Sequence, residues 1–184
     1  RTWRLFIAHP VPEGIRDELH RQLAPYRRRY SHVAWTRPHA WHLTLLFLGA
    51  VEPHHVPELQ RLLRSVAEAF RRYQVTAGRG DGRTRGREGV GWLGLSTGAG
   101  TLIEAATFVA GHCPTDITDG SPPKRTPSAH LTIARKADQA LIDALRAKAH
   151  GPVEVSWEVD RVQLVRSHLD PGGARYVTLD GATL

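Results

Sequence analysis

Hydrophobic and polar positions alternate along this chain in short stretches whose period switches between two and about 3.6 residues. Stretches of period two predict strands, which fall at residues 3–8, 33–36, 41–48, 73–77, 90–96, 130–133, 153–167 and 176–179. Stretches of helical period predict four helices, which we place at residues 12–25, 56–70, 102–113 and 137–149. Pro12 opens the first helix, and we expect Pro25 to end or kink it.

Two segments carry little or no apolar periodicity. Residues 78–89 are rich in glycine and arginine and contain no hydrophobic side chain, which predicts an exposed loop, and residues 114–128 form a proline-rich loop. Neither has the character of a linker between independent units, so we expect residues 1–184 to form a single domain. Because the strands are joined both by hairpins and by helices, we expect an α+β fold with two pseudo-symmetric lobes of antiparallel or mixed sheet and flanking helices.

One short pattern occurs twice. The stretch "HLTLLFLG" begins at His42, and "HLTIAR" begins at His130. Residues i and i+2 of a strand point to the same face, so each histidine shares a face with the following threonine, Thr44 or Thr132. The same rule puts Leu46 on the histidine face and Phe47 in the core. A repeated imidazole–hydroxyl pair predicts one central cleft built from two similar halves.

Two imidazoles in one cleft suit acid–base chemistry, because their pKa near ~6.5 allows both protonation states near neutral pH. Threonine hydroxyls and an arginine can hold a tetrahedral anion between them. The matching target is a phosphodiester whose nucleophile and leaving group lie on opposite sides of phosphorus, with no metal or cofactor required. Arg135 has the wrong parity to share the face of His130, and it reaches the cleft only if the strand ends, twists or bulges after Thr132.

Charge changes the picture in one respect. The chain has 25 basic and 18 acidic residues, a net charge of +7, and only three of the basic residues are lysines. Arginine suits phosphate contacts, so a polyanionic partner is one interpretation, and a codon-driven replacement of lysine by arginine is the other. The arginine-rich segment 79–87 is accordingly either a solvated loop or a phosphate clamp.

The remaining composition limits the function classes. Cys113 is the sole cysteine, so neither an internal disulfide nor a cysteine-based metal site is expected. No stretch reaches the length of a membrane helix, and the charged N-terminal residues do not match a signal peptide. We therefore expect a cytoplasmic protein without membrane association, and a monomer by default.

These motifs resemble the 2H phosphoesterases, and among them the RNA 2′,3′-cyclic phosphodiesterases long called 2′-5′ RNA ligases. The resemblance covers most of the chain: "RLFIAHPVPEGIRDEL" is similar to the opening strand and helix, "WTRPHAWHLTLLFLGAV" to the first motif, "VGWLGL" to the middle strand, "HLTIAR" to the second motif and "VQLVRSHLDPGGARYVTL" to the closing hairpin.

The resemblance implies a role for each motif residue. His42 would protonate the departing ribose 3′-oxygen, His130 would activate water, and the product would be a 2′-phosphate. Thr44, Thr132 and Arg135 would bind the phosphate. Run in reverse, the same groups would join a cyclic phosphate end to a 5′-hydroxyl without ATP.

Two other interpretations stay open at this stage. One is an RNA- or nucleotide-binding module that uses the same cleft without turnover. The other is a phosphodiesterase of a small cyclic nucleotide phosphate. Both motifs are intact, which favours an enzyme, because a pure binder gains little from two titrating groups.

Overall fold

The computed structural model describes residues 1–118 and 121–184, which form ten strands and four α-helices. None of the described helices combines the length and the apolarity needed to cross a bilayer. The strands are β1 (Trp3–Pro10), β2 (Ala34–Trp35), β3 (His42–Val51), β4 (Tyr73–Arg83), β5 (Val90–Thr97), β6 (Lys124–Arg125), β7 (His130–Arg135), β8 (Val155–Val159), β9 (Arg161–Asp170) and β10 (Gly173–Thr183), and the helices are α1 (Glu13–Arg29), α2 (Val56–Ala69), α3 (Ala99–His112) and α4 (Gln139–Ala147).

Within the described ranges the strands form two five-stranded sheets with matching layouts. The first sheet has the order β10-β9-β1-β3-β6, the second has the order β2-β7-β5-β4-β8, and the described pairings are antiparallel. Each histidine strand, β3 or β7, lies beside a two-residue edge strand that comes from the other half of the chain. The predicted α+β fold with two related lobes is confirmed.

The two histidine strands share a β-bulge at the same position. On β3, the residues on either side of Leu45 pair with consecutive residues of β1, so Leu45 is an extra residue. On β7, the residues on either side of Ile133 pair with consecutive residues of β5. Each bulge directly follows the motif threonine, and it shifts the alternation of side chains by one position. The sixth residue of each strand therefore returns to the face of the histidine.

This shift corrects two predictions made from strict alternation. Leu46 was expected on the histidine face, but it is fully buried in the core. Phe47 was expected in the core, but half of its surface is exposed and it faces the cavity beside His42. The sequence carries no glycine or proline that marks the bulge, so a period-two pattern extended straight through it gives the wrong face.

The segment 78–89 was predicted to be an exposed loop, and its first half is strand instead. β4 continues to Arg83 and pairs with β5, which leaves only residues 84–89 to connect them. Gly80 and Gly82 allow α4 to pack directly on this part of the strand, because an added Cβ would lie 2.7 Å from the carbonyl oxygen of Leu145 or 2.6 Å from Cγ1 of Ile142. In the sequence alone, glycines that let a helix pack closely on a strand cannot be distinguished from glycines that form a loop.

The long strand predicted over 153–167 is in fact two strands in two different sheets. β8 ends at Val159 in the second sheet, and β9 begins at Arg161 in the first. The buried positions change phase between them: Val155, Trp157 and Val159 are buried in β8, whereas Val162 and Leu164 are buried at the start of β9. This change from odd-numbered to even-numbered positions is the signal for the break.

Two smaller predictions also need correction. Of the two outcomes expected at Pro25, an end of the first helix is wrong, because α1 continues to Arg29, and a kink stays a prediction. Its last turn is held by Tyr26, which is buried and donates a hydrogen bond from its hydroxyl to the carbonyl oxygen of Gly151 at 2.7 Å. The predicted proline-rich loop 114–128 contains the short strand β6, and its residues 119 and 120 lie outside the described residues.

Candidate active site

A cavity of about 300 Å³ opens between the two histidine strands and is lined by residues of both sheets. Its lining includes all five residues singled out from the sequence, which are His42, Thr44, His130, Thr132 and Arg135. Two motifs that are far apart in sequence are therefore neighbours in one cavity, because β3 and β7 lie against each other where the two sheets meet. Which chemical role each of them has stays a prediction.

The two histidines are held in the same way. Nδ1 of His42 donates to the carbonyl oxygen of Ala40 at 3.1 Å, and Nδ1 of His130 donates to the carbonyl oxygen of Ser128 at 2.9 Å. A carbonyl oxygen can only accept, so Nδ1 carries a hydrogen in both rings. Nε2 is consequently the nitrogen of each ring that can exchange a proton. The hydroxyl of Ser128 also lies 3.0 Å from Nδ1 of His130.

The surroundings lower the pKa of both imidazoles. Burial is the main cause at His42 and at His130, since it disfavours the charged ring, and the hydrogen bond from Nδ1 to the backbone opposes it. Nearby positive charge lowers the pKa further, from Arg16 and His39 at the first ring and from Arg135 and Arg83 at the second. Both rings are thus biased towards the neutral form.

Arg135 reaches the cavity by means of the bulge at Ile133. It is exposed, lines the cavity with Thr132, and lies close enough to His130 to affect its charge. The sequence predicted that Arg135 reaches the cleft only if the side-chain alternation breaks after Thr132. The register of β7 on β5 contains that break. Phe47 holds the equivalent place on β3, so one strand presents a cation where the other presents an aromatic ring.

Aromatic residues that were not singled out from the sequence surround the histidines. The rings of Phe6 and Tyr176 each lie 5.6 Å from the ring of His42, centroid to centroid, in edge-on contact. The ring of Trp92 lies 5.7 Å from that of His130. Phe6 and Tyr176 sit in ordinary strand patterns far apart in sequence, so no local signal could have identified them.

The open face of the second sheet carries further arginines beside His130. Arg79, Gly94 and His130 form one cross-strand row, and Arg83, Val90 and Arg135 form another. Gly94 places no side chain between Arg79 and His130. Part of the predicted arginine-rich loop is therefore a strand beside the second motif, in which Arg79 and Arg83 flank Asp81, whose carboxylate pairs with Arg146 at 2.7 Å.

Two other residues near the motifs have structural roles. His9 is fully buried, donates from Nδ1 to the carbonyl oxygen of Arg161 at 2.6 Å, and has its pKa lowered to about 4 by burial. Trp41 is buried and packs in the core. Among the described residues, no group of three or more His, Cys, Asp or Glu side chains is arranged to hold a metal ion.

Comparison with known proteins agrees with this fold. An RNA 2′,3′-cyclic phosphodiesterase of Bacillus subtilis is 30% identical over 76 residues, which is 41% of each chain, so this match spans less than half of that relative. An RNA 2′,3′-cyclic phosphodiesterase of Methanothermobacter thermautotrophicus is 27% identical over an alignment of 186 residues that covers 96% of each chain.

A solved structure matches over the full length. The crystal structure of E. coli LigT complexed with NADP+ superimposes with a TM-score of 0.70 at 25% identity, and the match covers 100% of this chain and 99% of LigT. The family profile described as the 2′-5′ RNA ligase superfamily matches residues 15–171. The chain therefore belongs to the 2′-5′ RNA ligase superfamily.

Proposed function

We propose that this protein hydrolyses the 2′,3′-cyclic phosphate at the end of an RNA to a 2′-phosphate without a metal ion, with His42 as general acid and His130 as general base. The proposal rests on the matched pair of histidines in one cavity. Each donates a hydrogen bond from Nδ1 to a backbone carbonyl oxygen, which leaves Nε2 for proton transfer. Two curated relatives are named RNA 2′,3′-cyclic phosphodiesterase, which supports the same substrate class.

In the proposed reaction one ring accepts a proton and the other donates one. Nε2 of His130 takes a proton from water as the water oxygen bonds to phosphorus. The bond from phosphorus to the 3′-oxygen breaks, and Nε2 of His42 gives its proton to that oxygen. The hydroxyls of Thr44 and Thr132 donate to the non-bridging phosphate oxygens, and Arg135 stabilises the charge that develops on them.

The aromatic residues support this assignment of acid and base. The leaving oxygen belongs to the ribose, so the nucleoside must lie on the side of the general acid. Tyr176 stands beside His42 and packs on the buried Phe6, and its half-buried ring offers a surface that suits a sugar or a base. Beside His130 the cavity is lined by Thr132 and Arg135, which suit water and phosphate, and the neighbouring ring of Trp92 is not part of the cavity lining.

Ligation is a second candidate, favoured by the arginines beside His130. In the reverse reaction a 5′-hydroxyl RNA would replace water, and its backbone would have to approach from the side of the general base. Arg79, Arg83 and Arg135 lie on that face of the second sheet and can contact phosphates there. The strained cyclic ester would supply the energy in place of ATP.

The test is a product assay on a short RNA that ends in a 2′,3′-cyclic phosphate, with EDTA present. We expect the wild-type protein to yield a 2′-phosphate end, and we expect His42→Ala and His130→Ala each to lower kcat by roughly 10²- to 10⁴-fold. His20→Ala, an exposed histidine on α1, is the matched control and should retain activity.

Other outcomes decide between the alternatives. RNA binding without turnover by the wild-type protein would make the cleft a binding module. Turnover of a cyclic mononucleotide alone would indicate a small-molecule phosphodiesterase. Loss of activity in EDTA with rescue by a divalent ion would contradict metal independence. The proposal also includes a cytoplasmic monomer, which cell fractionation and sedimentation test.

A further inference from the structure

The cavity extends farther over the sheet that carries His42 than over the sheet that carries His130. Beyond His42 it continues over the open face of the first sheet, along strands β1, β3, β9 and β10. We call this extension the first-sheet groove and define it by Arg4, Phe6, Phe47, Leu169 and Tyr176, which all line it. Of the described strands of the second sheet, β7 alone contributes to the lining.

The groove holds apolar surface that the fold leaves in solvent. Among the described residues, the large hydrophobic side chains that are exposed are Phe47 at 50%, Leu169 at 79% and Val177 at 36%. Two of these three line the first-sheet groove. Phe6 lies on the strand between the two that carry them, and the ring of Tyr176 lies 5.1 Å from that of Phe6, centroid to centroid. Exposed aromatic and aliphatic surface on an open sheet face is typical of sites that stack unpaired bases.

The charge of the groove favours a polyanion. Arg4 lies at the end away from His42, and no carboxylate is found among the described residues that line the cavity. Pro10 pairs with His42, and Arg4 lies six positions before Pro10 on the same strand. The Phe6 ring lies 5.6 Å from that of His42, and Arg4 is two positions from Phe6, so at ~3.4 Å per residue Arg4 lies about 7 Å beyond Phe6 on the side away from the histidine.

We propose that the first-sheet groove binds the nucleotides that precede the cyclic phosphate, with their bases on Phe47, Leu169 and Tyr176 and a backbone phosphate on Arg4. The inference rests on the proposed function, because it takes the leaving nucleoside to lie beside His42. The rest of the RNA is joined to that nucleoside through its 5′-oxygen and must leave the cavity on the same side. The preferred substrate is accordingly an oligonucleotide and not a mononucleotide.

The experiment compares kcat/KM for a 2′,3′-cyclic mononucleotide and for a trinucleotide with the same cyclic end. We expect the wild-type protein to prefer the trinucleotide by roughly tenfold or more, since one stacked base alone contributes about this factor. Arg4→Ala and Phe47→Ala should each lower that preference. Arg64→Ala, which removes an exposed arginine of α2 away from the cavity, is the matched control and should keep it.

Salt dependence separates a phosphate contact from a structural effect. For the trinucleotide, Arg4→Ala should reduce the slope of log kcat/KM against log salt by about 0.7, the value for one contact to a single strand. Arg4→Lys should restore the slope. A structural role of Arg4 would change the rate without changing the slope, and that result would overturn the assignment.

The outcomes for the two proposals differ. Equal turnover of both substrates by the wild-type protein would overturn the groove and leave the proposed function standing. Absence of turnover with either substrate would overturn the proposed function. In that case fluorescence anisotropy of a labelled trinucleotide 2′-phosphate decides the groove: binding that weakens in Arg4→Ala but not in Arg64→Ala supports it, and equal binding overturns it.

Discussion

At the residue scale, the two histidines are equivalent in their hydrogen bonds and differ in their neighbours. Each donates from Nδ1 to the carbonyl oxygen two residues before it, which orients Nε2 for proton transfer. Among the described residues, His42 lies near two aromatic rings and one arginine, whereas His130 lies near one ring and two arginines. The neighbours, more than the motif, therefore distinguish the proposed acid from the proposed base.

The lowered pKa values predict the pH dependence of the reaction. His130 must be neutral and His42 protonated, so kcat/KM should follow a bell. Because the pKa of each ring lies below its ordinary value of ~6.5, both limbs should lie on the acid side of that value. The limbs report the coupled pair rather than single residues. A profile of kcat/KM that rises steadily from pH 5 to 9 would contradict the acid–base pair.

Arg135 should affect both the rate and the position of one limb. Its charge lowers the pKa of His130, so Arg135→Ala should raise that pKa and move one limb of the kcat/KM profile to higher pH, more so at low salt. Loss of its contact with the phosphate should lower kcat/KM by on the order of 10². Arg135→Lys keeps the charge and should keep the limb in place. An unchanged limb in Arg135→Ala would exclude electrostatic coupling to His130.

At the element scale, two bulges and a set of glycines decide which side chains face the cavity. The extra residues Leu45 and Ile133 return Phe47 and Arg135 to the histidine faces of their strands. The glycines of β4 keep the opposite face of the second sheet flat enough for α4. The packing of α4 on this face holds in place β4, the strand that carries Arg79 and Arg83.

Gly82 is the position where this packing is most easily tested. A Cβ there would lie 2.5 Å from the carbonyl oxygen of Val90 and 2.6 Å from Cγ1 of Ile142. We expect Gly82→Ala to lower the free energy of unfolding by about 1–3 kcal/mol, as measured by urea denaturation. Gly100→Ala on α3, where no atom lies within 4 Å of the added Cβ, should leave it unchanged or raise it slightly. Equal stability of the two variants would contradict the packing argument.

At the scale of the whole molecule, each half of the chain completes the sheet of the other. The first half contributes β2 and β4 to the second sheet, and the second half contributes β6, β9 and β10 to the first. Neither sheet can form from one half alone. The expectation that residues 1–184 act as a single domain stays a prediction, and this exchange of strands is its physical basis.

Exchange of strands predicts cooperative unfolding. Circular dichroism and tryptophan fluorescence should report one coincident thermal transition, because tryptophans lie in both sheets, and the calorimetric and van't Hoff enthalpies should agree. Two separate transitions would indicate that the lobes unfold independently.

The sequence by itself determined the element types, the family and the paired His-x-Thr motifs, because periodicity and repeated motifs are local properties of the chain. It did not determine that Phe47 faces the cavity, that Arg135 reaches it, or that the 153–167 stretch divides between two sheets. Those features depend on strand register and on the neighbour across the sheet. The aromatic groove beside His42 is likewise tertiary, since Phe6, Phe47 and Tyr176 meet only when β1, β3 and β10 come together in one sheet.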